Sequence, residues 1–374
     1  MHNFTFLFFY LLFLFISAQS FAQTEATLLI GTYTNSGSHG IYVARFNEQT
    51  GQLTMVDSAK ADNPSYLCIA PSGKKVYALS ENGGTNPGSI SAFNFDPPSG
   101  KLSFINSQIT GGDHPCFLSI DPKEKFLAVA NYSGGSVCMM PLHSSGALMP
   151  YSQLIQHYGS GPNAQRQEKP HVHQAIFSPK QNYVVVNDLG TDEVKAYAFN
   201  SKNTQPLDTQ KVIKIHTAPG SGPRHLVFHP AKPIFYVMEE LSGKVSVHAF
   251  NKHSIASLQT IECDTISRQP GSADIHISPD GRFLYASNRA DANTITIFSV
   301  NGTDGRLQRI GSQPVQGIGP RNFVIHPSGK WLLVANQKTN NIVVFARDAQ
   351  TGILKQTGTG TSLPTPVCLV FAGQ

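Results

Sequence analysis

Arg224 and Glu240 bracket one short stretch of this chain. It reads Gly222-Pro-Arg-His-Leu-Val-Phe-His-Pro230, then Ile234-Phe-Tyr-Val-Met-Glu-Glu-Leu241. The pattern is a tight turn, an apolar strand, a proline-marked turn and a second apolar strand. Paired antiparallel, the start of the first strand lies beside the end of the second. A guanidinium and a carboxylate then meet at one edge of a sheet. A guanidinium there can bind a carboxylate or phosphate, or stabilise an oxyanion.

Related stretches recur, marked by Pro71, Pro122, Pro179, Pro230, Pro279 and Pro327. Six positions before each proline stand Ser65, Cys116, His173, Arg224, Ala273 and Arg321. Ten positions after stand Glu81, Tyr132, Leu189, Glu240, Arg289 and Gln337. Consecutive units therefore bring His173, Arg224, Glu240, Arg289 and Arg321 to equivalent ends of their strands, with His171, Asp188 and Asn288 adjacent. Several arginines around one glutamate and one histidine predict an anion pocket able to do general acid–base work on a bound ester. The competing reading is a set of salt bridges that only registers the repeats. Glu81 aligns with Glu240 in a unit that brings no arginine, which predicts a rim or structural role. His225, His229, His276 and His326 recur near strand–turn boundaries and read as packed repeat residues. His171-Val-His173 lacks a third ligand at metal-site spacing, so no metal is expected. The chain has no Gly-x-Ser-x-Gly and no glycine-rich phosphate loop, which argues against a serine hydrolase or nucleotide enzyme.

The elements that position these residues follow from the repeat. Marker prolines roughly 50 residues apart signal a solenoid, propeller or array. Each unit has a first strand, a second such as Phe126-Leu-Ala-Val-Ala-Asn131, and a third such as Val245-Ser-Val-His-Ala-Phe250. A Gly turn follows most third strands (Gly51, Gly100, Gly146, Gly305, Gly352), then an outer strand. The units ending their third strands at Phe199 and Phe250 lack a clear copy of that turn. Four antiparallel strands per repeat predict propeller blades. Six units are complete within the chain. Thr27–Tyr33 and Gly40–Phe46 lack a first strand, and Thr365–Phe371 is a first strand with nothing after it. Joined, the two ends make a seventh blade and close the ring. The expected fold is an all-β seven-bladed propeller forming a single domain over residues 23–374. The first strands line the axis, and both register sets face one mouth of the channel. The polar insertion from Gly159 to Lys169 is placed to cover part of that mouth.

Of 374 residues, 40% are hydrophobic and only 14% charged, which suits strands and turns. The net charge of +5 is not gathered into a basic block, so no nucleic-acid partner is expected. Met1 to Ala22 is an apolar run ending in small residues and reads as a signal peptide cleaved after Ala22, although no Lys or Arg precedes the run. The mature chain is then exported to the periplasm or secreted. No later segment is apolar enough to be a membrane helix. Cys68, Cys116, Cys138, Cys263 and Cys368 form neither a disulfide framework nor a zinc pattern. Oligomeric state is left open.

Eight motifs, in order, resemble the lactonase family of seven-bladed β-propellers. They are Pro170-His-Val-His173, Asp188-Leu-Gly-Thr-Asp192, Gly222-Pro-Arg-His225, Glu240-Leu-Ser242, His276-Ile-Ser-Pro-Asp-Gly281, Ala286-Ser-Asn-Arg289, Pro320-Arg-Asn322 and Ala335-Asn-Gln337. That family includes bacterial propeller-type 6-phosphogluconolactonase and fungal carboxy-cis,cis-muconate cyclase. The resemblance implies a cofactor-free site in the channel mouth built from His173, Arg224, Glu240 and Arg289, with His171 as an alternative to His173. His171, Asp188 and Arg321 are expected to contact substrate. The leading expectation is a hydrolase that opens an anionic sugar lactone. A cyclase-type lyase or isomerase using the same site is the second reading, and a non-catalytic propeller binding a glycan or protein the third. One departure stands out: a phosphogluconate lactone is an intracellular metabolite, whereas this chain carries an export signal.

Overall fold

The computed structural model describes residues 25–180, 182–251 and 254–373. The expected signal peptide, Met1–Ala22, lies outside the described residues. Within them the regular secondary structure is entirely β-strand, arranged as seven four-stranded antiparallel sheets. We number the blades from the innermost strands Leu67–Ile69, Pro115–Ile120, Val172–Phe177, Pro223–Phe228, Ser272–Ile277, Pro320–Ile325 and Pro366–Phe371. Each innermost strand touches the next around the axis, and the last touches the first.

Blade 7 takes its innermost strand from the C-terminal end of the chain and its other three from the N-terminal end. Pro366–Phe371 pairs with Glu25–Thr32, in a register that sets Leu28 opposite Phe371 and Ile30 opposite Leu369. This is the predicted closure. It gives every blade two neighbours and leaves no unpaired sheet face to end the ring.

The apolar residues of the middle strands are buried against the adjoining blades. The seven hydrophobic clusters fall one at each junction between neighbouring blades. Between blades 4 and 5, for instance, Ile234, Tyr236 and Val247 pack with Ile275, Leu284 and Phe298. The blades are thus joined chiefly by side-chain burial, with no strand pairing from sheet to sheet.

The recurrent Gly turn has a physical cause in these junctions. Tyr236 of blade 4 donates to the Gly305 carbonyl of blade 5 at 2.9 Å, and Tyr285 of blade 5 to Gly352 of blade 6 at 2.7 Å. Both glycines have positive φ, 72° and 74°. A Cβ would come within 2.5 Å of Ile234 at the first and 2.3 Å of Phe283 at the second. Glycine is required by conformation and by the close approach of the neighbouring blade.

The innermost strands pair on one side only, so their free backbone groups need other partners. Side chains supply several. Gln174 of blade 3 accepts from the Leu226 N–H at 2.6 Å and donates to its carbonyl at 3.3 Å. Asn322 of blade 6 accepts from the Leu369 N–H of blade 7 at 2.7 Å.

All five cysteines are free, and Cys116, Cys138, Cys263 and Cys368 are buried.

Candidate active site

The site begins as an irregularity in the innermost strand pairs of blades 2 to 6. In blade 4, Pro223 pairs with Glu239 and His225 with Met238, leaving Arg224 as the extra residue of a β-bulge. The same irregularity isolates Cys116 in blade 2, His173 in blade 3 and Arg321 in blade 6. In blade 5 it spans Ala273 and Asp274. A bulge takes one residue out of the ladder and re-aims its side chain. The positions six before each marker proline are thus the bulge positions for blades 2 to 6.

Glu240 follows the second strand of blade 4 and is 3% exposed. Its Oε2 lies 2.9 Å from Arg224 Nε and 3.2 Å from Arg289 Nη2. The Arg224 Nε contact is an ion pair and not an aligned hydrogen bond. The Glu240 Oε1 accepts from Arg166 Nη2 at 2.7 Å. Burial alone would raise this carboxyl, but Arg289, Arg224 and Arg166 overcome it and hold it down at about 2. Glu240 is therefore a fixed anion at neutral pH.

The arginines are tied down in turn. Arg224 Nη1 donates to the Ala273 carbonyl at 2.7 Å, and Arg289 Nε to the Gly271 carbonyl at 2.6 Å. Burial pulls Arg289 down to about 10 against the attraction of Glu240, which leaves it a cation at pH 7. Across the mouth, Arg321 lies 3.7 Å from Glu81 and over the ring of Tyr33, whose hydroxyl donates to Glu81 at 2.9 Å. Glu81, read from sequence as a rim residue, is thus the partner of Arg321.

His173 is buried between these groups. Its Nδ1 is 3.6 Å from Cys116 Sγ, and its ring packs edge-on against Tyr132 and His225. No carboxylate pairs with it among the described residues. Burial first, then Arg224, His225 and Arg321, hold its pKa well below the ordinary value. The imidazole is neutral at pH 7. Burial raises the Cys116 thiol, so it faces His173 uncharged.

Two of the expected contacts are placed differently. Asp188 is fully buried. Its Oδ2 lies 2.7 Å from His157 Nδ1, and Oδ1 accepts from the backbone of His171 at 2.9 Å and Gly190 at 3.1 Å. It supports the His171–His173 segment and does not line the mouth. His171 stacks on Tyr132, with Nε2 3.1 Å from Glu168. The two histidines of His171-Val-His173 thus have different surroundings. No group of three or more His, Cys, Asp or Glu among the described residues could hold a metal ion.

Sequence reasoning missed two features. Arg166 comes from the Gly159–Lys169 insertion, whose position over the mouth was legible but whose arginine repeats in no other unit. Beneath the bulges, the Asp274 carboxylate holds His225 at 2.8 Å, His276 at 3.1 Å and Asn322 at 2.5 Å. Burial and Arg224 pull His225 down to about 4 despite Asp274. These histidines are packed, as expected, but around a buried carboxylate that no repeat signalled.

Fold and site define a seven-bladed β-propeller with an ion-paired mouth to its axial channel. Residues 27–371 match the family described as "Lactonase, 7-bladed beta-propeller", and the chain belongs to that family. It is 40% identical to a 6-phosphogluconolactonase of Formosa agariphila over 88% of this chain and 94% of that one. A crystal structure from Bacteroides fragilis is 42% identical, with a TM-score of 0.90 over 94% of this chain and 99% of that one. The structure of a Pseudomonas aeruginosa periplasmic gluconolactonase is 35% identical, with a TM-score of 0.88 over 93% of this chain and 99% of that one. The chain is a lactonase, an enzyme of the carboxylic-ester hydrolase class.

Proposed function

We propose that the protein hydrolyses the ring ester of an anionic sugar lactone at this mouth. The observation that carries the reading is Glu240 held by Arg166, Arg224 and Arg289 in the same mouth as a neutral His173. The arginines attract the substrate's anionic group, and Arg224 or Arg289 donates to the carbonyl oxygen as it becomes an oxyanion. His173 takes a proton from the attacking water as the new C–O bond forms. The ring C–O bond then breaks, and the imidazolium gives its proton to the departing ring oxygen. A depressed pKa suits the second half, because the imidazolium surrenders its proton readily. Glu240, locked as an anion, keeps the guanidiniums in position and does not shuttle the proton. His171 and Asp188 act from behind, by stacking on Tyr132 and by holding the His171 backbone.

Proton release from a panel of sugar lactones tests the reading. It requires rates above spontaneous hydrolysis for the native protein and their loss in His173→Ala and Glu240→Ala variants that remain folded. Full activity in either variant sinks the assignment of roles.

We further propose that Met1–Ala22 is removed and that the enzyme works outside the cytoplasm. The periplasmic location of the Pseudomonas aeruginosa relative supports this. N-terminal sequencing of the exported protein should begin at Gln23; a product retaining Met1 would overturn it.

A further inference from the structure

A layer of side chains lies directly beneath the bulges. Five positions before the marker prolines stand Tyr66, Phe117, Gln174, His225, Asp274 and Asn322. In blades 3 and 6 this residue is an amide. Its oxygen accepts from a backbone N–H of the next blade, Leu226 at 2.6 Å and Leu369 at 2.7 Å. In blade 5 the Asp274 carboxylate takes the equivalent bond, from the Phe323 N–H at 3.3 Å. Joining one blade to the next therefore needs only an amide. A buried carboxylate costs more to desolvate, unless other groups use its charge.

Asp274 is 2% exposed. Its oxygens also accept from His225 Nδ1 at 2.8 Å, His276 Nε2 at 3.1 Å, Asn322 Nδ2 at 2.5 Å and the Ile275 N–H at 3.0 Å. Burial opposes ionisation, but His276 and His225 hold the carboxyl well below the usual carboxylate range. His225, drawn down to about 4 by burial and Arg224, is neutral at pH 7. Its bond to Asp274 puts the ring proton on Nδ1, so Nε2 is the ring nitrogen left to accept. Arg224 Nη1 lies 3.4 Å from that nitrogen.

Arg224 rests on two surfaces, and Asp274 fixes both. One is the His225 ring. The other is the Ala273 carbonyl, which accepts from Arg224 Nη1 at 2.7 Å. That carbonyl belongs to the irregularity of blade 5 that Ala273 shares with Asp274. The Asp274 N–H donates to Ser287 Oγ at 2.9 Å and ties the irregularity to the second strand. With Nη1 on these surfaces and Nε against Glu240, Arg224 Nη2 has no hydrogen-bond partner among the described residues. It is the donor left for a substrate oxygen.

We propose that Asp274 is a positioning residue for the reaction: by gripping His225 and fixing the Ala273 carbonyl, it aims Arg224 Nη2 at the lactone carbonyl oxygen. The proposal rests on the lactonase reading for its kinetics, but not for its geometry.

D274N is the discriminating variant, because an amide does the joining in blades 3 and 6. H225Q keeps the carboxylate and removes the ring. H276Q removes another partner of the same carboxylate, one that does not contact Arg224. The test measures kcat and KM by proton release from 6-phosphogluconolactone and gluconolactone, and compares crystal structures of the native protein and D274N. D274N and H225Q should each lower kcat about ten- to a hundredfold with KM within about threefold, because an oxyanion donor acts in the transition state while Arg289 and Arg166 still attract the substrate. H276Q should stay within about twofold of the native kcat. In the D274N crystal, Arg224 Nη1 should have left the Ala273 carbonyl. Native kcat in D274N, an equal loss in H276Q, a change in KM alone, or an Arg224 that keeps its place overturns the proposal. Should D274N fail to fold, H225Q decides: the stated loss of kcat sustains the proposal and native kcat overturns it. If the native protein opens neither lactone, a displaced Arg224 in D274N would sustain the positioning role and reject the activity.

Discussion

Arg224 Nε lies 2.9 Å from Glu240 Oε2, the first carried by a strand's bulged start and the second by the residue after the next strand. Both side chains are nearly inaccessible, so removing the carboxylate leaves the buried Arg224 guanidinium without its ion-pair partner. We predict that Glu240→Ala costs about 3–5 kcal/mol of stability, the usual result of breaking a buried ion pair from one side. Denaturant unfolding of the variant checks this.

The same pair gives an acid limb to stability. Glu240 titrates lower folded than unfolded, falling from the ordinary 4.5 to about 2. Its contribution is therefore complete above about pH 4.5 and is lost as pH falls toward 2. The shift corresponds to about 3 kcal/mol. Stability measured across that window should fall less steeply in Glu240→Gln than in the native protein. Equal slopes would show that the arginines do not hold Glu240 ionised.

For His173 the expectation is kinetic. His173→Gln should lower kcat about 100- to 10,000-fold with an unchanged circular dichroism spectrum. A general base must be neutral, and this one has its pKa held well below 6.5. The activity of the native enzyme should therefore be flat through neutral pH, with its acid limb below the ordinary histidine range. A limb at or above pH 6.5 would assign the base elsewhere.

Gly222 sets the approach of the chain to Arg224. Its φ is +64°, and a Cβ there would lie 2.7 Å from Leu241 Cγ. Gly222→Ala should cost about 1–3 kcal/mol through backbone strain and also lower kcat, because the bulge would shift. Thermal unfolding and steady-state kinetics on one preparation separate the two effects.

Asp188→Asn keeps an oxygen for the His171 and Gly190 amides but loses the charged partner of His157. A stability loss of about 1–3 kcal/mol is expected, with kcat reduced far less than in His173→Gln. A loss of activity equal to that of His173→Gln, at unchanged stability, would return Asp188 to the substrate-contact role.

The sequence by itself determined the ring. Proline-marked strand pairs, the Gly turns and the two half-blades at the ends specify seven blades, because local turn chemistry and alternation are written in neighbouring residues. It also picked out His173, Arg224, Glu240, Arg289 and Arg321 as one constellation, because a repeat makes equivalent positions comparable. What only the tertiary structure decided is which of these meet, and how. The bulges that turn out His173, Arg224 and Arg321 depend on cross-strand register, which no single strand encodes. Arg166 arrives from an unrepeated strap, and Glu81 reaches Arg321 from a blade far away in sequence, so their pairing exists only once the ring is closed. Asp188, next in sequence to the register position Leu189, is drawn into the interior by His157 because both of its oxygens are satisfied there. Periodicity carries information along the chain; the protonation state and aim of a buried charge are set by neighbours across it.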